Sequence, residues 1–158
     1  MSAPRLRIGL VGAGSMGSLH GRVIAGHDRC ELIWVADPAT ENAQRVVDRF
    51  GGIAIAEPDF AVVDGVVVAS PTETHSSIAG AALAAGKPLL LEKPVTDSLD
   101  SAQALVDVAA RVGVPFMCGF LERFNPAVRT AFAIASEPLQ MSSIRHSPYV
   151  ERIKTGVA

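Results

Sequence analysis

Features that mark several other classes of protein are scarce in this sequence. Although 49% of its residues are hydrophobic, no apolar run reaches the roughly 18 residues of a membrane span, so no such helix is expected. A net charge of −2 without a basic cluster argues against a nucleic-acid-binding surface. The two cysteines, Cys30 and Cys118, have neither metal-ligand nor redox spacing, and no metal site is expected. We interpret them as buried free thiols, which, with an N-terminus that lacks a signal-peptide core, predicts a cytoplasmic location.

A glycine-rich turn near the N-terminus organises the rest of the chain. A short apolar segment, Ile8–Val11, leads into Gly12, Gly14 and Gly17 in the spacing G-x-G-x-x-G. In dinucleotide-binding folds the first glycine allows the tight turn, and the second lets backbone N–H groups approach a pyrophosphate. The third allows the new helix to pack close against the sheet, so that its positive N-terminal end faces the phosphates. This sequence of strand, turn and helix favours dinucleotide binding over an ordinary glycine turn.

An acidic residue ends the second predicted strand, Glu31–Asp37. It follows Gly17 by about 20 residues, the distance at which dinucleotide-binding folds place a carboxylate against the adenosine ribose. Such a carboxylate accepts hydrogen bonds from the ribose hydroxyls and repels a 2′-phosphate, so Asp37 favours NAD over NADP. The alternative is that Asp37 serves as a turn or helix-capping residue before Pro38.

Strands and helices alternate up to Gly119, which predicts an α/β fold with a Rossmann-type, doubly wound parallel sheet. The predicted strands are Arg5–Val11, Glu31–Asp37, Ile53–Ala56, Asp64–Ser70, Leu89–Glu92 and Val114–Gly119. The predicted helices between them are Ser15–Gly26, Thr40–Phe50, Ser76–Ala85 and Ser98–Arg111. The valine run of the fourth strand predicts burial on both faces, and Trp34 in the second strand is expected in the core.

Two polar segments follow strands of this sheet, at the edge where open α/β sheets bind ligands. The first is Ser70–His75 and the second is Glu92–Pro94. Thr72 and Thr74 would equally cap the following helix, and His75 would equally be a surface side chain. These interpretations stay open beside contact with a cofactor.

The pattern changes after Gly119 and predicts the start of a second, α+β domain. We expect a dinucleotide-binding domain over residues 1–123 and the beginning of a substrate or oligomerisation domain over 124–158. Residues Ala127–Ser136 have helical composition, and Gln140–His146 alternate like a strand. A single strand leaves its backbone groups unpaired, so this one is expected to be mobile or to pair with another chain, as in a homo-oligomer.

Four motifs, in this order, resemble the N-terminal part of the Gfo/Idh/MocA oxidoreductases, the family of glucose-fructose oxidoreductase and inositol dehydrogenase. They are GAGSMG at 12–17, SPTETH at 70–75, EKP at 92–94 and GFLERFNPAV at 119–128. The first motif is common to many dinucleotide folds, whereas EKP after the fifth strand, followed by RFNP after the sixth, is far more specific. The resemblance covers essentially the whole chain and implies an NAD-dependent sugar dehydrogenase.

The resemblance also implies roles for particular side chains. Lys93 corresponds to the catalytic lysine, which faces the nicotinamide and the substrate hydroxyl, and the bond from it to Pro94 is often cis in the family. The implied cofactor-binding residues are Gly12, Gly14, Ser15, Met16, Gly17, Asp37, Ser70, Pro71, Thr72, His75, Glu92, Lys93 and Arg123. Arg123 and Asn125 belong to the RFNP motif, where Asn125 and Pro126 would equally begin a helix as N-cap and first-turn proline.

A finer similarity is to members that oxidise C3 of UDP-linked N-acetylated amino sugars. It rests on ERFNPAV and on the segments Arg145–Pro148 and Ile153–Val157, although HSPYVER stands where a run richer in Gly and Pro is expected. Full members continue beyond this point and carry an Asp-x-x-x-His pair that helps to deprotonate the sugar hydroxyl. We therefore expect this chain to bind NAD but to be inactive alone. The alternatives are a non-catalytic NAD or nucleotide sensor and, with little in its favour, a scaffold subunit.

Overall fold

Residues 6–118 form a six-stranded parallel sheet with helices between the strands. The computed structural model describes residues 4–135 together with Ser142 and Ile144. The strands are β1 (Leu6–Val11), β2 (Cys30–Ala36), β3 (Ile53–Ile55), β4 (Gly65–Val68), β5 (Leu89–Leu91) and β6 (Phe116–Cys118). Their order in the sheet is β3-β2-β1-β4-β5-β6, and every neighbouring pair is parallel. This order confirms the predicted Rossmann-type sheet, in which the direction of strand addition reverses beside β1.

Helices pack on both faces of the sheet and bury two separate apolar clusters. The helices of this part of the chain are α1 (Ser15–Ala25), α2 (Thr40–Phe50), α3 (Thr72–Ala84) and α4 (Leu99–Val112). The cluster under α1 and α2 contains Leu10, Ile24, Leu32, Val35, Ala43, Val46, Val47 and Val67. The cluster under α3 and α4 includes Trp34, Val66, Val68, Leu83, Leu89, Leu91 and Leu105. Successive valines of β4 thus enter opposite clusters, which confirms the predicted burial of that strand on both faces.

Trp34 confirms its predicted place in the core. Its side chain is 1% exposed, and its indole Nε1–H donates to the carbonyl oxygen of Asp59 at 2.9 Å. The two thiols differ from their interpretation, because Cys30 and Cys118 are free but only half-buried. Cys30 is the first residue of β2, and Cys118 is the last residue of β6.

The largest difference from the predicted boundaries is at the start of α3, which begins at Thr72 rather than Ser76. Pro71 precedes it at φ −59°, a value that already suits a helix, so the chain turns into α3 directly after β4. No side chain caps this helix. The hydroxyl of Thr74 donates to the carbonyl oxygen of Pro71 at 2.8 Å instead, so the capping interpretation of Thr72 and Thr74 is wrong.

The chain divides into two units between Phe120 and Leu121. The described part of the second unit holds a short 3₁₀ helix, Leu121–Phe124, and α5, Pro126–Ile134. The strand expected over Gln140–His146 lies outside the described residues, as do the segments Arg145–Pro148 and Ile153–Val157. The domain boundary expected after residue 123 stays a prediction. Within the described residues, no helix combines the length and the apolar character that crossing a membrane requires.

Candidate functional site

The glycine-rich turn joins β1 to α1 at the carboxyl edge of the sheet. Gly12 has φ +92°, and a Cβ at this position would lie 2.5 Å from the carbonyl oxygen of Ala69. A Cβ at Gly17 would overlap the carbonyl oxygen of Gly12, so the close approach expected of Gly17 is to the turn rather than to the sheet. At Gly14, the N-cap of α1, a Cβ would find no atom within 4 Å. The turn is therefore tightly packed at Gly12 and Gly17, whereas the space beside Gly14 is open.

No side chain caps the N-terminus of α1, where Ser15 and Met16 form the first turn. The first N–H groups of a helix lack intrahelical partners and carry the positive end of its dipole. An anion placed over Gly14 would meet these groups without an intervening side chain. This is the geometry by which a helix N-terminus binds a phosphate.

Asp37 stands beside this turn, directly after β2, and is half-buried. Its Oδ2 accepts from the backbone N–H of Ala13 at 2.8 Å, and its Oδ1 accepts from the N–H of Ala39 at 3.0 Å. The carboxylate therefore performs the turn role that was the alternative for it. An ionised carboxylate offers about four acceptor sites, so these two bonds leave capacity for the hydroxyls of a ribose.

His75 lies in the first turn of α3 and is 1% exposed, so its interpretation as a surface side chain is wrong. Its Nε2 lies 2.9 Å from the carbonyl oxygen of Ser70, before the helix. Its Nδ1 lies 2.9 Å from the carbonyl oxygen of Pro94, in the next polar segment along the sheet edge. The ring thus connects the segment after β4 with the segment after β5.

Glu92 follows β5 and is 5% exposed. Its Oε1 lies 2.8 Å from Nε2 of His20, a residue of α1, and its Oε2 accepts from the backbone N–H of Lys93 at 3.2 Å. A Cβ at Gly119, after β6, would come within 3.1 Å of this carboxylate. Glu92, expected to bind the cofactor, is therefore enclosed by protein groups.

His20 is the residue of this site that sequence reasoning missed. It stands 72 positions from Glu92 in the chain. The only signal available was a polar residue on the helix that follows the glycine turn, and such a residue is ordinarily exposed to solvent.

Lys93 is exposed at the same edge of the sheet. Its peptide bond to Pro94 is cis, as the resemblance implied. Within the first unit, four polar features follow β1, β2, β4 and β5 in turn: the glycine turn, Asp37, the segment Ser70–His75 and Lys93. They lie at one edge because the carboxyl ends of parallel strands meet at the same edge of a sheet.

Burial and a neighbouring charge make the thiol of Cys118, at the end of β6, less acidic. Loss of solvent raises the pKa of this thiol, and the negative charge of Glu92 raises it further. A thiol in this state is a poor nucleophile at neutral pH. Across the described ranges, 4–135 with 142 and 144, no three His, Cys, Asp or Glu side chains are arranged to hold a metal ion.

Arg123 and Asn125 lie in the second unit. Asn125 is the N-cap of α5, and its side chain accepts from the N–H of Ala127 at 3.0 Å. The capping alternative for Asn125 is thus realised. Arg123 lies in the 3₁₀ helix and lines a groove of about 490 Å³ with residues that include Arg129 and Phe132. Its assignment to the cofactor stays a prediction.

Comparison with known proteins gives one family and several relatives. The model of the GFO_IDH_MocA family, described as an oxidoreductase family with an NAD-binding Rossmann fold, matches residues 6–120. Inositol 2-dehydrogenase 4 of Saccharopolyspora erythraea is 37% identical over 133 residues, which are 80% of this chain and 39% of that protein.

Solved structures agree with this match. GenD2 from gentamicin A biosynthesis, solved in complex with NAD, superposes with a TM-score of 0.81 at 33% identity, over 87% of this chain and 40% of that one. UDP-N-acetylglucosamine 3-dehydrogenase from Acidithiobacillus ferrooxidans superposes with a TM-score of 0.77 at 30% identity, over 84% and 44%. The chain therefore spans about two fifths of the length of the relatives that it matches.

Proposed function

Because this chain belongs to the Gfo/Idh/MocA oxidoreductase family and forms an NAD-binding Rossmann domain, we propose that it is the cofactor half of a sugar dehydrogenase. In the complete reaction, hydride passes between a nicotinamide cofactor and a hydroxyl-bearing carbon of a sugar or nucleotide sugar. The observation that carries this proposal is the exposed Lys93 at the same sheet edge as the glycine turn and Asp37.

The residues present fit a dinucleotide. The open space over Gly14 and the uncapped N-terminus of α1 suit a pyrophosphate. Asp37 keeps two free acceptor sites for the ribose hydroxyls, and its charge disfavours a 2′-phosphate. Ser70, Pro71 and Thr72 border the next stretch of the edge, where the cofactor would run from the glycine turn towards Lys93.

Lys93 would act on the substrate hydroxyl. When bound, NAD supplies the hydride acceptor. As an ammonium group, Lys93 would donate a hydrogen bond to the substrate oxygen and stabilise the negative charge that develops there. As a neutral amine, it would instead accept the proton that the hydroxyl loses and pass that proton on. Glu92 accepts a hydrogen bond from the backbone N–H of Lys93, and the ring of His75 contacts the carbonyl oxygen of Pro94. These two contacts restrict where the amine can reach.

The proposed class of substrate is supported by the relatives rather than by this site. The relatives named above include an inositol dehydrogenase and a UDP-N-acetylglucosamine dehydrogenase that acts at C3. Because ERFNPAV resembles the second type, we propose a UDP-linked N-acetylated amino sugar as the first substrate to assay. We further propose a cytoplasmic homo-oligomer, supported by the free thiols and by the strand-like pattern of residues 140–146.

Calorimetric titration of the chain with NAD, NADH and NADP tests the cofactor half of this proposal. We expect saturable binding of NAD(H) and weaker binding of NADP. A folded chain that binds none of them contradicts the proposal.

Turnover is tested separately, with NAD and a panel of inositols and UDP-sugars, on the longest protein that the natural gene encodes. NAD binding without turnover by that longest product would favour the sensor alternative. Turnover that is lost in Lys93→Met while NAD still binds supports the role of Lys93.

A further inference from the structure

We propose that His20 and His75 are positioning residues that hold the Glu92–Pro94 turn from opposite faces of the sheet. The inference rests on the proposed function, because it gives Lys93, the central residue of that turn, its role. His20 belongs to α1, which packs on one face with α2, and His75 belongs to α3, which packs on the other with α4.

The contact from α1 runs through Glu92. Nε2 of His20 lies 2.8 Å from Oε1 of Glu92, and the other carboxylate oxygen accepts from the backbone N–H of Lys93. Glu92 is 5% exposed, and a buried carboxylate without a partner is costly, so its place depends on His20. The amide of Lys93 is therefore tied through one carboxylate to α1.

The contact from α3 holds the residue after Lys93. His75 places Nδ1 2.9 Å from the carbonyl oxygen of Pro94 and Nε2 2.9 Å from the carbonyl oxygen of Ser70. A carbonyl oxygen can only accept, and a neutral imidazole has a single N–H, so the ring donates to one of these oxygens and packs against the other. The ring thereby fixes the turn to the end of β4.

These contacts flank Lys93 on both sides and leave its side chain free. The N-terminus of α1 is also the end that faces the pyrophosphate in the proposed function. A cofactor docked there would rest on the same helix that positions Glu92, so cofactor placement and the backbone of Lys93 are linked through His20. Neither histidine touches the reacting atoms in this arrangement.

A pair of substitutions at His20 separates this hydrogen bond from simple packing. His20→Gln keeps an N–H donor that can reach Glu92, whereas His20→Leu keeps comparable volume without one. His27→Gln is the matched control, because His27 is exposed in the loop after α1 and its ring accepts only from the N–H of Arg29. The measurements are amide hydrogen exchange at Lys93, NADH affinity by calorimetry, and fluorescence anisotropy of bound NADH, which reports how firmly the nicotinamide is held.

We expect exchange of the Lys93 amide to be roughly tenfold faster in His20→Leu and within about threefold of the wild type in His20→Gln. NADH affinity should change by less than about threefold in both, because the glycine turn is intact, while anisotropy falls in His20→Leu and is restored in His20→Gln. His75→Leu, which removes the ring N–H that can donate to the carbonyl oxygen of Pro94 or Ser70, should also speed exchange. Wild-type exchange and anisotropy in a folded His20→Leu would overturn the proposal.

The two proposals fail in different ways. If the wild type does not bind NADH, the proposed function fails, and exchange at Lys93 still tests the histidine contacts. If the wild type binds NADH and His20→Leu matches it in every measurement, only the positioning role fails. Should His20→Leu not fold, His20→Ala replaces it, because it also removes the group that contacts Glu92 and adds no apolar bulk; wild-type exchange at the Lys93 amide in His20→Ala would then overturn the proposal.

Discussion

Substitution of Asp37 by Asn should weaken NAD binding and destabilise the fold at the same time. The carboxylate accepts one N–H on each oxygen, from Ala13 and from Ala39. An amide has a single oxygen, so it can accept from one of these groups only, and its NH₂ then faces the other N–H. One donor loses its partner, which costs about 1–3 kcal/mol and should lower the melting temperature by about 2–12 °C.

The effect of Asp37→Asn on the affinity for the cofactor is separate from its effect on stability. Hydrogen bonds from the ribose hydroxyls to a charged acceptor contribute about 1.5–3 kcal/mol, so Asp37→Asn should weaken NAD binding roughly 10- to 150-fold. NADP should not weaken, because the charge that opposes its 2′-phosphate is gone. Calorimetric titration with both dinucleotides, beside thermal unfolding of the free protein, measures the two effects independently.

The control is Asp107→Asn, which makes the same change of charge on the exposed face of α4. Asp107 accepts only from the side chain of Gln103, so NAD affinity should stay at the wild-type value. The reasoning is refuted if Asp37→Asn binds NAD as tightly as the wild type, or if its preference for NAD over NADP is unchanged.

Three further predictions concern the turn and the titrating groups. Gly12→Ala should destabilise the fold by about 1–3 kcal/mol or more in urea unfolding, because φ is +92° and a Cβ would meet backbone. The side-chain hydrogen bond from Arg7 lowers the pKa of Asp64 from 3.8 to about 2, so this contact stabilises the fold above about pH 4 and is lost as pH falls towards 2. Asp64→Asn should therefore flatten the pH dependence of unfolding in that window, and an unchanged profile would contradict the assignment. Burial, with the charge of Glu92, raises the pKa of the Cys118 thiol, so iodoacetamide should modify it slowly at neutral pH and faster in Glu92→Gln; equal rates by mass spectrometry would exclude the charge effect.

Local patterns in the sequence were sufficient to predict most of the strands and helices. The alternation of β-branched strands with helices, and the turn residues between them, indicated all six strands and the helices of the first unit to within a few residues. The valine run of β4 indicated a central strand, because a strand buried on both faces shows no alternation of polar and apolar residues. All four residues of β4 are buried in the structure. The predicted start of α3 is late because Thr72 and Thr74 resemble capping residues, whereas the helix begins directly after Pro71.

The sequence alone determined the Rossmann sheet, the glycine turn and the positions of Asp37 and Lys93, since each depends on residues close together in the chain. Only the tertiary structure decided what surrounds them. The pairing of His20 with Glu92 joins residues 72 positions apart, and His75 spans the ends of two strands. Such contacts depend on strand order and helix orientation, which bring distant side chains within hydrogen-bond distance and leave no periodic signal in the sequence.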